Sequence, residues 1–168
     1  MLSKKVILIG DFSTGKTSLI RRYVDNQFSD RYLSTIGVKI SRKKIDVKEE
    51  VLQALIWDIE GGTKTKPVNK TYLIGAHGCI VVADITREDT IGHIALYLNE
   101  VQTIAPGIPF VIVLNKSDCL PEEEASVIQA KVLQTYKSYT QSVYVASAKS
   151  GEGVMTAFTR LAMELAGQ

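Results

Sequence analysis

Continuous apolar runs and amphipathic segments alternate along this chain, and each kind of segment predicts one kind of element. Apolar runs predict buried strands at residues 6–9, 78–84, 110–114 and 142–146. Apolar residues at helical spacing predict helices at residues 16–24, 90–104, 121–136 and 154–165. Residues 38–47 and 51–58 predict two more strands, and the polar turn Lys48-Glu49-Glu50 makes this pair antiparallel.

Strands that are apolar throughout and separated by helices predict a parallel sheet covered on both faces. We therefore expect an α/β fold of three layers, in which a six-stranded, mostly parallel sheet lies between helices. The length of 168 residues favours a single domain over residues 1–168. Ligands of such sheets bind at the carboxyl ends of the strands, so polar motifs that follow strands are the candidates for function.

Composition and charge argue against several classes of protein. The net charge of +2 is too small to indicate binding to nucleic acid or to an acidic membrane. Two cysteines, Cys79 and Cys119, make no disulfide framework in a chain this long, and a reducing, cytoplasmic compartment fits their use. No apolar stretch is long enough to span a membrane, and the first residues lack signal-peptide anatomy. The last residues include no cysteine, so we expect no prenyl anchor in this chain.

The stretch from Gly10 to Thr17 is the first motif that carries chemistry. It reads Gly-Asp-Phe-Ser-Thr-Gly-Lys-Thr between a predicted strand and a predicted helix, which is the context of a phosphate-binding P-loop. Backbone N–H groups would cradle phosphate oxygens, Lys16 would reach the β- and γ-phosphates, and the Thr17 hydroxyl would bind Mg²⁺. The candidate phosphate-binding residues are Asp11, Phe12, Ser13, Thr14, Gly15, Lys16, Thr17 and Ser18. The motif indicates a nucleotide binder rather than a chance Gly-Lys turn, but it does not choose adenine or guanine.

A second motif, Asn115-Lys116-Ser117-Asp118, directly follows the predicted strand at residues 110–114. A buried carboxylate at Asp118 would accept both N1–H and N2–H₂ of guanine, whereas adenine would leave it unpaired. Asn115 can hold the loop together and touch N7, and the Lys116 stem can lie flat on the ring. Alone, the motif is equally an ordinary polar loop; after a P-loop, it indicates guanine.

A third motif, Ser147-Ala148-Lys149, follows the last predicted strand. Its backbone N–H groups can point at the guanine O6, and the Lys149 stem can cover the other face of the ring. The tripeptide is a weak signal alone, but it supports the same interpretation because it is the third polar loop at one sheet edge.

In this order and at these distances, the motifs resemble those of the Ras superfamily, and within it most those of Rab proteins. The resemblance covers essentially the whole chain. Rab proteins carry a phenylalanine, a tyrosine four residues later and then T-I-G-V, here Phe28, Tyr32 and Thr35-Ile36-Gly37-Val38. They also carry W-D-T-A-G-Q-E, where this chain has Trp57-Asp58-Ile59-Glu60-Gly61-Gly62-Thr63. Without a prenylated tail, the chain looks more like the free cytosolic, Rab-like GTPases of prokaryotes.

The resemblance implies the P-loop G-domain fold and a small GTP-binding switch protein that cycles between GTP and GDP with Mg²⁺. It places Phe28 edge-on against the guanine, Thr35 on Mg²⁺ and the γ-phosphate, and Asp58 on Mg²⁺ through water. The Gly61 amide would sense the γ-phosphate, so that loss of this group releases two loops, switch I at Thr35 and switch II at Gly61. Effector, exchange-factor and GTPase-activating proteins would bind through these loops. Phe28 and Trp57 are equally explained as core residues, the interpretation that we prefer for Trp57.

Three departures from the family pattern concern hydrolysis. Gly62 replaces the glutamine that orients the attacking water, and the Phe12 ring would crowd the γ-phosphate and block an arginine from a partner. Glu60 replaces an alanine. We expect slow unaided hydrolysis and acceleration by Gly62→Gln; alternatively, Glu60 or a partner positions the water. The catalytic candidates are Lys16, Thr35, Glu60 and Gly61, acting electrostatically without a covalent intermediate.

Two other functions compete with a hydrolysing switch. A P-loop kinase or ATPase would not prefer guanine, and Asn115 and Asp118 argue against it. A non-catalytic scaffold that holds one nucleotide permanently is compatible with Gly62 and Phe12.

Other polar residues receive plainer interpretations. The isolated His77 and His93 are expected to be structural or solvated. A basic stretch follows switch I and is expected to be a solvated, protected sheet edge or, alternatively, a surface for an acidic partner. It comprises Lys39, Arg42, Lys43, Lys44 and Lys48.

Overall fold

The computed structural model describes residues 2–31 and 33–167 of the chain. Its strands are β1 (Leu2–Gly10), β2 (Val38–Val47), β3 (Glu50–Ile59), β4 (Gly78–Asp84), β5 (Phe110–Asn115) and β6 (Val143–Val145). Its α-helices are α1 (Lys16–Asp25), α2 (Glu88–Gly92), α3 (Ile94–Ile104), α4 (Glu122–Tyr136) and α5 (Val154–Ala166). Every strand and helix predicted from the apolar pattern is therefore present, with ends that differ by a few residues.

The strands form one six-stranded sheet in the order β2-β3-β1-β4-β5-β6. Only β2 runs antiparallel to its neighbour, as the tight turn before β3 predicts. The carboxyl ends of the parallel strands consequently meet at one edge of the sheet, where Leu8 pairs with Asp58 and Asp84 pairs with Asn115. This edge carries the polar motifs.

Two hydrophobic clusters pack on opposite faces of the sheet, so the predicted three-layer α/β architecture is confirmed. On one face the sheet packs against α3 and α4, through residues such as Leu98 and Val132. On the other face it packs against α1 and α5, where the rings of Tyr23 and Phe158 stack at 4.0 Å between centroids. Cys79 is fully buried in β4, as its apolar neighbours predict.

The predicted helix at residues 90–104 is divided into α2 and α3 at His93. The His93 Nδ1 atom lies 2.6 Å from Asp11 Oδ2. Helical periodicity does not predict this contact, because Asp11 belongs to a distant part of the sequence. Strand β1 begins earlier than residue 6, where the apolar pattern placed its start, because the first residues of the strand are mostly polar. Among the described residues, no helix combines the length and apolar character that crossing a membrane requires.

Trp57 packs at the margin of a hydrophobic cluster, which agrees with the preferred structural interpretation. The Lys5 ammonium lies 3.7 Å from the centroid of its ring, and the ring of Tyr72 is tilted against it at 6.4 Å. Trp57 is thus held by a cation–π contact and by aromatic packing.

Candidate functional site

The P-loop turns tightly between β1 and α1 because a second loop lies directly against it. Gly15 has a φ of 92°, and a β-carbon there would come within 2.3 Å of the Asn115 side-chain nitrogen. Asn115 in turn donates from that nitrogen to the carbonyl of Thr14 at 3.0 Å. The second glycine of the motif is therefore required both by its backbone angle and by the approach of Asn115.

Lys16 lies buried under this loop. Its ammonium donates to the carbonyl oxygens of Gly10 at 3.3 Å and Asp11 at 2.9 Å. Burial lowers the pKa of Lys16 to about 8, against the opposing influence of the Asp58 and Asp11 carboxylates. A buried cation that faces the phosphate cradle is suited to receive an anion.

Thr17, Thr35 and Asp58 meet at the start of α1, although they come from three separate segments. The hydroxyls of Thr17 and Thr35 lie 2.7 Å apart, and both donate to Asp58 Oδ2, at 2.6 and 3.0 Å. The other carboxylate oxygen, Asp58 Oδ1, is buried and has no hydrogen-bond partner in the described part of the chain. Burial raises the pKa of Asp58, against the bonds from both threonines. Hard oxygen donors and an unsatisfied buried carboxylate oxygen fit Mg²⁺.

The predicted phosphate residues line a small cavity of about 30 Å³ beside this cluster. Those that line it are Phe12, Ser13, Gly15, Lys16, Thr17, Ser18, Thr35 and Gly61. Thr14 is fully buried and donates its hydroxyl to the carbonyl of Asp11 at 2.9 Å, so it shapes the loop from within. The Asp11 carboxylate faces α3 instead.

A second cavity of about 310 Å³ lies between the P-loop and the loops that follow α1, β5 and β6. The predicted guanine residues that line it are Phe28, Asn115, Lys116, Asp118, Ala148 and Lys149. Asn115 joins its walls, because its side-chain oxygen accepts from the Ala148 amide at 3.2 Å while its nitrogen holds Thr14. Three distant motifs therefore share one cavity. Tyr32, which carries part of the family resemblance, lies outside the described residues.

Lys116 lines this cavity and joins the P-loop to the end of β4. Its ammonium donates to the carbonyl of Ser13 at 2.8 Å and pairs with the buried Asp84 carboxylate at 2.9 Å. Although burial acts to raise it, bonds from Thr86 and Lys116 hold the pKa of Asp84 below its ordinary value. The sequence interpretation missed Asp84, for which its position at the end of a strand was the available signal.

Asp118 differs in one respect from the prediction. The discrimination argument assumed a buried carboxylate, whereas Asp118 is exposed at the mouth of the cavity, beyond the end of β5. Ser147, which does not line the cavity itself, donates to Asp118 Oδ1 at 2.6 Å and fixes its direction. The carboxylate is oriented by the protein, and a bound base would have to complete its burial.

Glu60 faces away from the phosphate cavity. Its Oε2 accepts from the Gly37 amide at 3.0 Å, and the Lys66 ammonium lies 2.9 Å from Oε1. The Glu60 amide also donates to the Gly37 carbonyl at 2.8 Å. The bond from Lys66, followed by that from Gly37, lowers the pKa of Glu60. Glu60 therefore joins the α1–β2 loop to the β3–β4 loop, an arrangement different from the expected aim at an attacking water.

Gly62 is paired with the P-loop through the backbone. Its amide donates to the Gly10 carbonyl at 3.2 Å, and its carbonyl accepts from the Phe12 amide at 2.9 Å. A β-carbon on Gly62 would lie 2.6 Å from the hydroxyl of Tyr97 in α3. A side chain at this position therefore requires the Tyr97 hydroxyl to move.

The Asp11 carboxylate lies on the α3 side of the P-loop, where it accepts from the Tyr97 hydroxyl at 2.5 Å and contacts His93. Burial and then Asp11 raise the pKa of Tyr97 well above its ordinary value. Asp11, Phe12 and Tyr97 help to line a third cavity of about 610 Å³ between α3 and the β3–β4 loop. Among the predicted phosphate residues, Asp11 thus has its side chain turned away from the phosphate cavity. The contact of His93 with Asp11 agrees with the structural role expected of this histidine.

The sequence of the chain is similar to known proteins over most of its length. A sequence model of the Ras family matches residues 5–166. The chain is 34% identical over 158 residues to the Ras-related protein Rab-15 of Mus musculus, covering 94% of this chain and 74% of that protein. It is 34% identical over 165 residues to the Ras-related protein Rab-1 of Theileria parva, covering 96% and 73%. It is 29% identical over 163 residues to the GTP-binding protein ypt1 of Schizosaccharomyces pombe, covering 96% and 79%.

Proposed function

This chain belongs to the Ras family and is a small GTP-binding switch protein. We propose that residues 1–168 form one G domain and that its intrinsic GTP hydrolysis is slow. Ras-family proteins are GTPases that bind GTP and GDP, generally with Mg²⁺. The slow rate is the specific part of the proposal. One observation carries it: neither position 60 nor position 62 presents a side chain to the phosphate cavity.

In the proposed complex, the guanine occupies the cavity of about 310 Å³ and the phosphates extend from it along the P-loop. Asp118 accepts from the Watson–Crick edge, Phe28 and the stems of Lys116 and Lys149 border the ring, and Asn115 holds the loops around it. Lys16 exchanges its two carbonyl bonds for oxygens of the β- and γ-phosphates. The base and the phosphates are thus recognised by residues that already contact one another.

Thr17, Thr35 and Asp58 are the residues proposed to hold Mg²⁺. When bound, Mg²⁺ supplies positive charge that stabilises the phosphate oxygens. Thr35 belongs to the α1–β2 loop, and its bonds with Thr17 and Asp58 hold that loop against α1 and β3. Loss of the γ-phosphate would leave Thr35 fewer partners and release the loop, which is the proposed switch.

Hydrolysis transfers the γ-phosphoryl group to water, and the protein contributes mainly position and charge. Lys16 and the P-loop amides would stabilise the transferred group. No side chain is available at Gly62 to orient the water, while Glu60 is engaged by Gly37 and Lys66. Phe12 borders the phosphate cavity and would obstruct an arginine supplied by a partner. Such an arginine is worth roughly 10³–10⁵ in rate, so its exclusion would keep the protein in the GTP state.

Members of this family act through regulator and effector proteins, and we propose an acidic partner surface for this chain. Ile40, Arg42 and Lys44 alternate along the edge strand β2 and are all exposed on one face. Two cations next to an exposed apolar residue suit an acidic partner by charge complementarity. The family relationship does not favour the alternative of a non-catalytic scaffold.

The first test is to identify the nucleotide that co-purifies with the protein and then to measure a single turnover of GTP. We expect guanine nucleotide, and hydrolysis slower than the roughly 4 × 10⁻⁴ s⁻¹ of unaided Ras. Co-purified GTP would agree with a switch held on, and co-purified GDP with slow turnover. ATP, or no uptake of added GTP, would contradict guanine binding, and a rate at or above that of Ras would contradict slow hydrolysis.

A further inference from the structure

Arg22 in the last turn of α1 holds the loop that follows β6. Its guanidinium donates through Nε to the carbonyl of Ala148 at 2.8 Å and through Nη2 to the carbonyl of Lys149 at 2.6 Å. These residues are 126 and 127 positions apart in sequence from Arg22. The two planar donors of one arginine thus fix two consecutive peptide groups.

Arg22 is itself held in place by its own helix. Its Nη1 donates to the side-chain oxygen of Asn26 at 3.2 Å, and Asn26 ends α1 in the left-handed conformation with a φ of 51°. The same helix begins at Lys16, in the P-loop. Helix α1 therefore contacts the P-loop at one end. Near its other end it contacts the loop that follows β6, here called the base loop.

The direction of these bonds matters for the base. In a trans peptide the carbonyl and the following N–H point in opposite directions, and the described chain contains no cis peptide. The Ala148 carbonyl points to Arg22, so the N–H of Lys149 is directed away from Arg22. Ala148 and Lys149 both line the cavity assigned to the guanine.

We propose that Arg22 is a positioning residue that aims the Lys149 amide at the O6 carbonyl of guanine and so sets how slowly nucleotide leaves. The inference rests on the proposed guanine site. Without Arg22, two carbonyls lose charge-assisted donors, and the loop is free to turn its amide away from the base. Arg22 makes no contact with the nucleotide itself in this proposal, so it changes release and base selection without changing the chemistry of hydrolysis.

The test measures dissociation of a fluorescent GDP analogue from Arg22→Ala, Arg22→Lys and the matched control Arg21→Ala, which removes the neighbouring charge on the same helix. We expect Arg22→Ala to release the analogue roughly 10- to 100-fold faster, the factor for one or two such bonds. Arg22→Lys is expected to recover part of the loss, and Arg21→Ala to match the wild type. Because the base loop is distant from the metal residues, the same acceleration is expected in Mg²⁺ and in EDTA.

Competition with 2-aminopurine riboside diphosphate separates aiming from general damage. This analogue lacks O6 and also the N1–H that Asp118 would accept, but the loss at Asp118 is the same in the variant and in the wild type. We expect the penalty of Arg22→Ala to be at least about fivefold smaller for this analogue than for GDP, since one hydrogen bond no longer contributes. An equal penalty for both ligands, or wild-type release by Arg22→Ala, would overturn the inference. Failure of the wild-type protein to bind guanine nucleotides would instead overturn the proposed function.

Discussion

The hydroxyl of Tyr97 lies 2.6 Å from the point that a β-carbon on Gly62 would occupy. Tyr97 is buried and its hydroxyl is bonded to Asp11, so moving the ring aside would break this hydrogen bond. By resemblance to the Rab pattern, position 62 corresponds to the glutamine that orients water. The absence of a side chain there is therefore matched by a residue on α3 that fills the space.

Gly62→Gln alone is consequently expected to give little acceleration of GTP hydrolysis, in contrast to the expectation from sequence. It should also lower the free energy of unfolding by about 1–3 kcal/mol, as overpacking does. Tyr97→Phe removes the clashing oxygen and leaves the next ring atom at 3.6 Å. The double variant should hydrolyse GTP at least about tenfold faster than the wild type in single-turnover assays. Equal acceleration by Gly62→Gln alone would show that the clash is absent in the reacting state.

Thr17→Ala removes one of the three proposed metal-binding side chains. We expect GDP release in Mg²⁺ to become at least roughly tenfold faster, since even outer-shell groups change metal affinity by that factor. In EDTA the variant and the wild type should release GDP at similar rates. Thr156→Ala, on the exposed side of α5, is the matched control. Acceleration that persists in EDTA would count against a metal role for Thr17.

The buried Lys16 predicts a pH dependence for the nucleotide-free protein. Burial lowers its pKa to about 8 from the ordinary 10.5, so the unfolded chain binds more protons than the folded chain between these values. The free energy of unfolding should therefore rise as the pH increases from 8 to 10.5. Urea unfolding of the wild type and Lys16→Met at several pH values measures this rise. The same slope in both proteins would exclude Lys16 as its source.

Substitutions of Glu60 test whether its carboxylate acts on the attacking water or holds two loops together. Its bonds to Gly37 and Lys66 predict that Glu60→Ala exposes the Gly37 amide to faster hydrogen exchange. Glu60→Gln retains an oxygen for Gly37 and should protect that amide better, with a hydrolysis rate close to that of the wild type. A large loss of rate in Glu60→Gln, with the amide still protected, would favour the water-positioning role. Because the pKa of Glu60 is lowered, the carboxylate bonds should weaken only as the pH falls below its ordinary 4.5.

Asp118→Asn tests whether this carboxylate selects guanine over other bases. An asparagine accepts from N1–H but presents N–H₂ to the guanine amino group, so we expect GDP affinity to fall by about 100-fold or more. Xanthine carries a carbonyl at that place and should bind the variant better than guanine does. Competition between GDP and xanthosine diphosphate measures the exchange of preference. Unchanged preference would place the base elsewhere.

Much of the fold was predictable because apolar periodicity is local. Continuous apolar runs and a short polar turn sufficed for the order of elements and for the one antiparallel strand. The gathering of Lys16, Asp58 and Asn115 at one edge also follows, since parallel strands end on the same side. Their roles in binding remain predictions.

The neighbours of those residues were not predictable in the same way. The contacts of Arg22 with Ala148 and of Tyr97 with Gly62 depend on how α1 and α3 pack on the sheet, which no local pattern encodes. The direction of Glu60 likewise depends on Lys66 and Gly37, two residues on different loops. Motifs identify which residues meet a ligand, whereas tertiary packing decides what supports them.

The backbone pairing of Gly62 with the P-loop also makes the length of this segment critical. Between the pair of Leu8 with Asp58 and the bridge of Asp11 with Gly62, the segment after β3 advances by four residues and the P-loop by three. The bonds of Gly62 with Gly10 and Phe12 fix where this segment must end, so an added residue would displace position 62 from both partners. Evolution can therefore exchange side chains here, as Glu60 and Gly62 illustrate, but we expect natural insertions and deletions to fall outside this span.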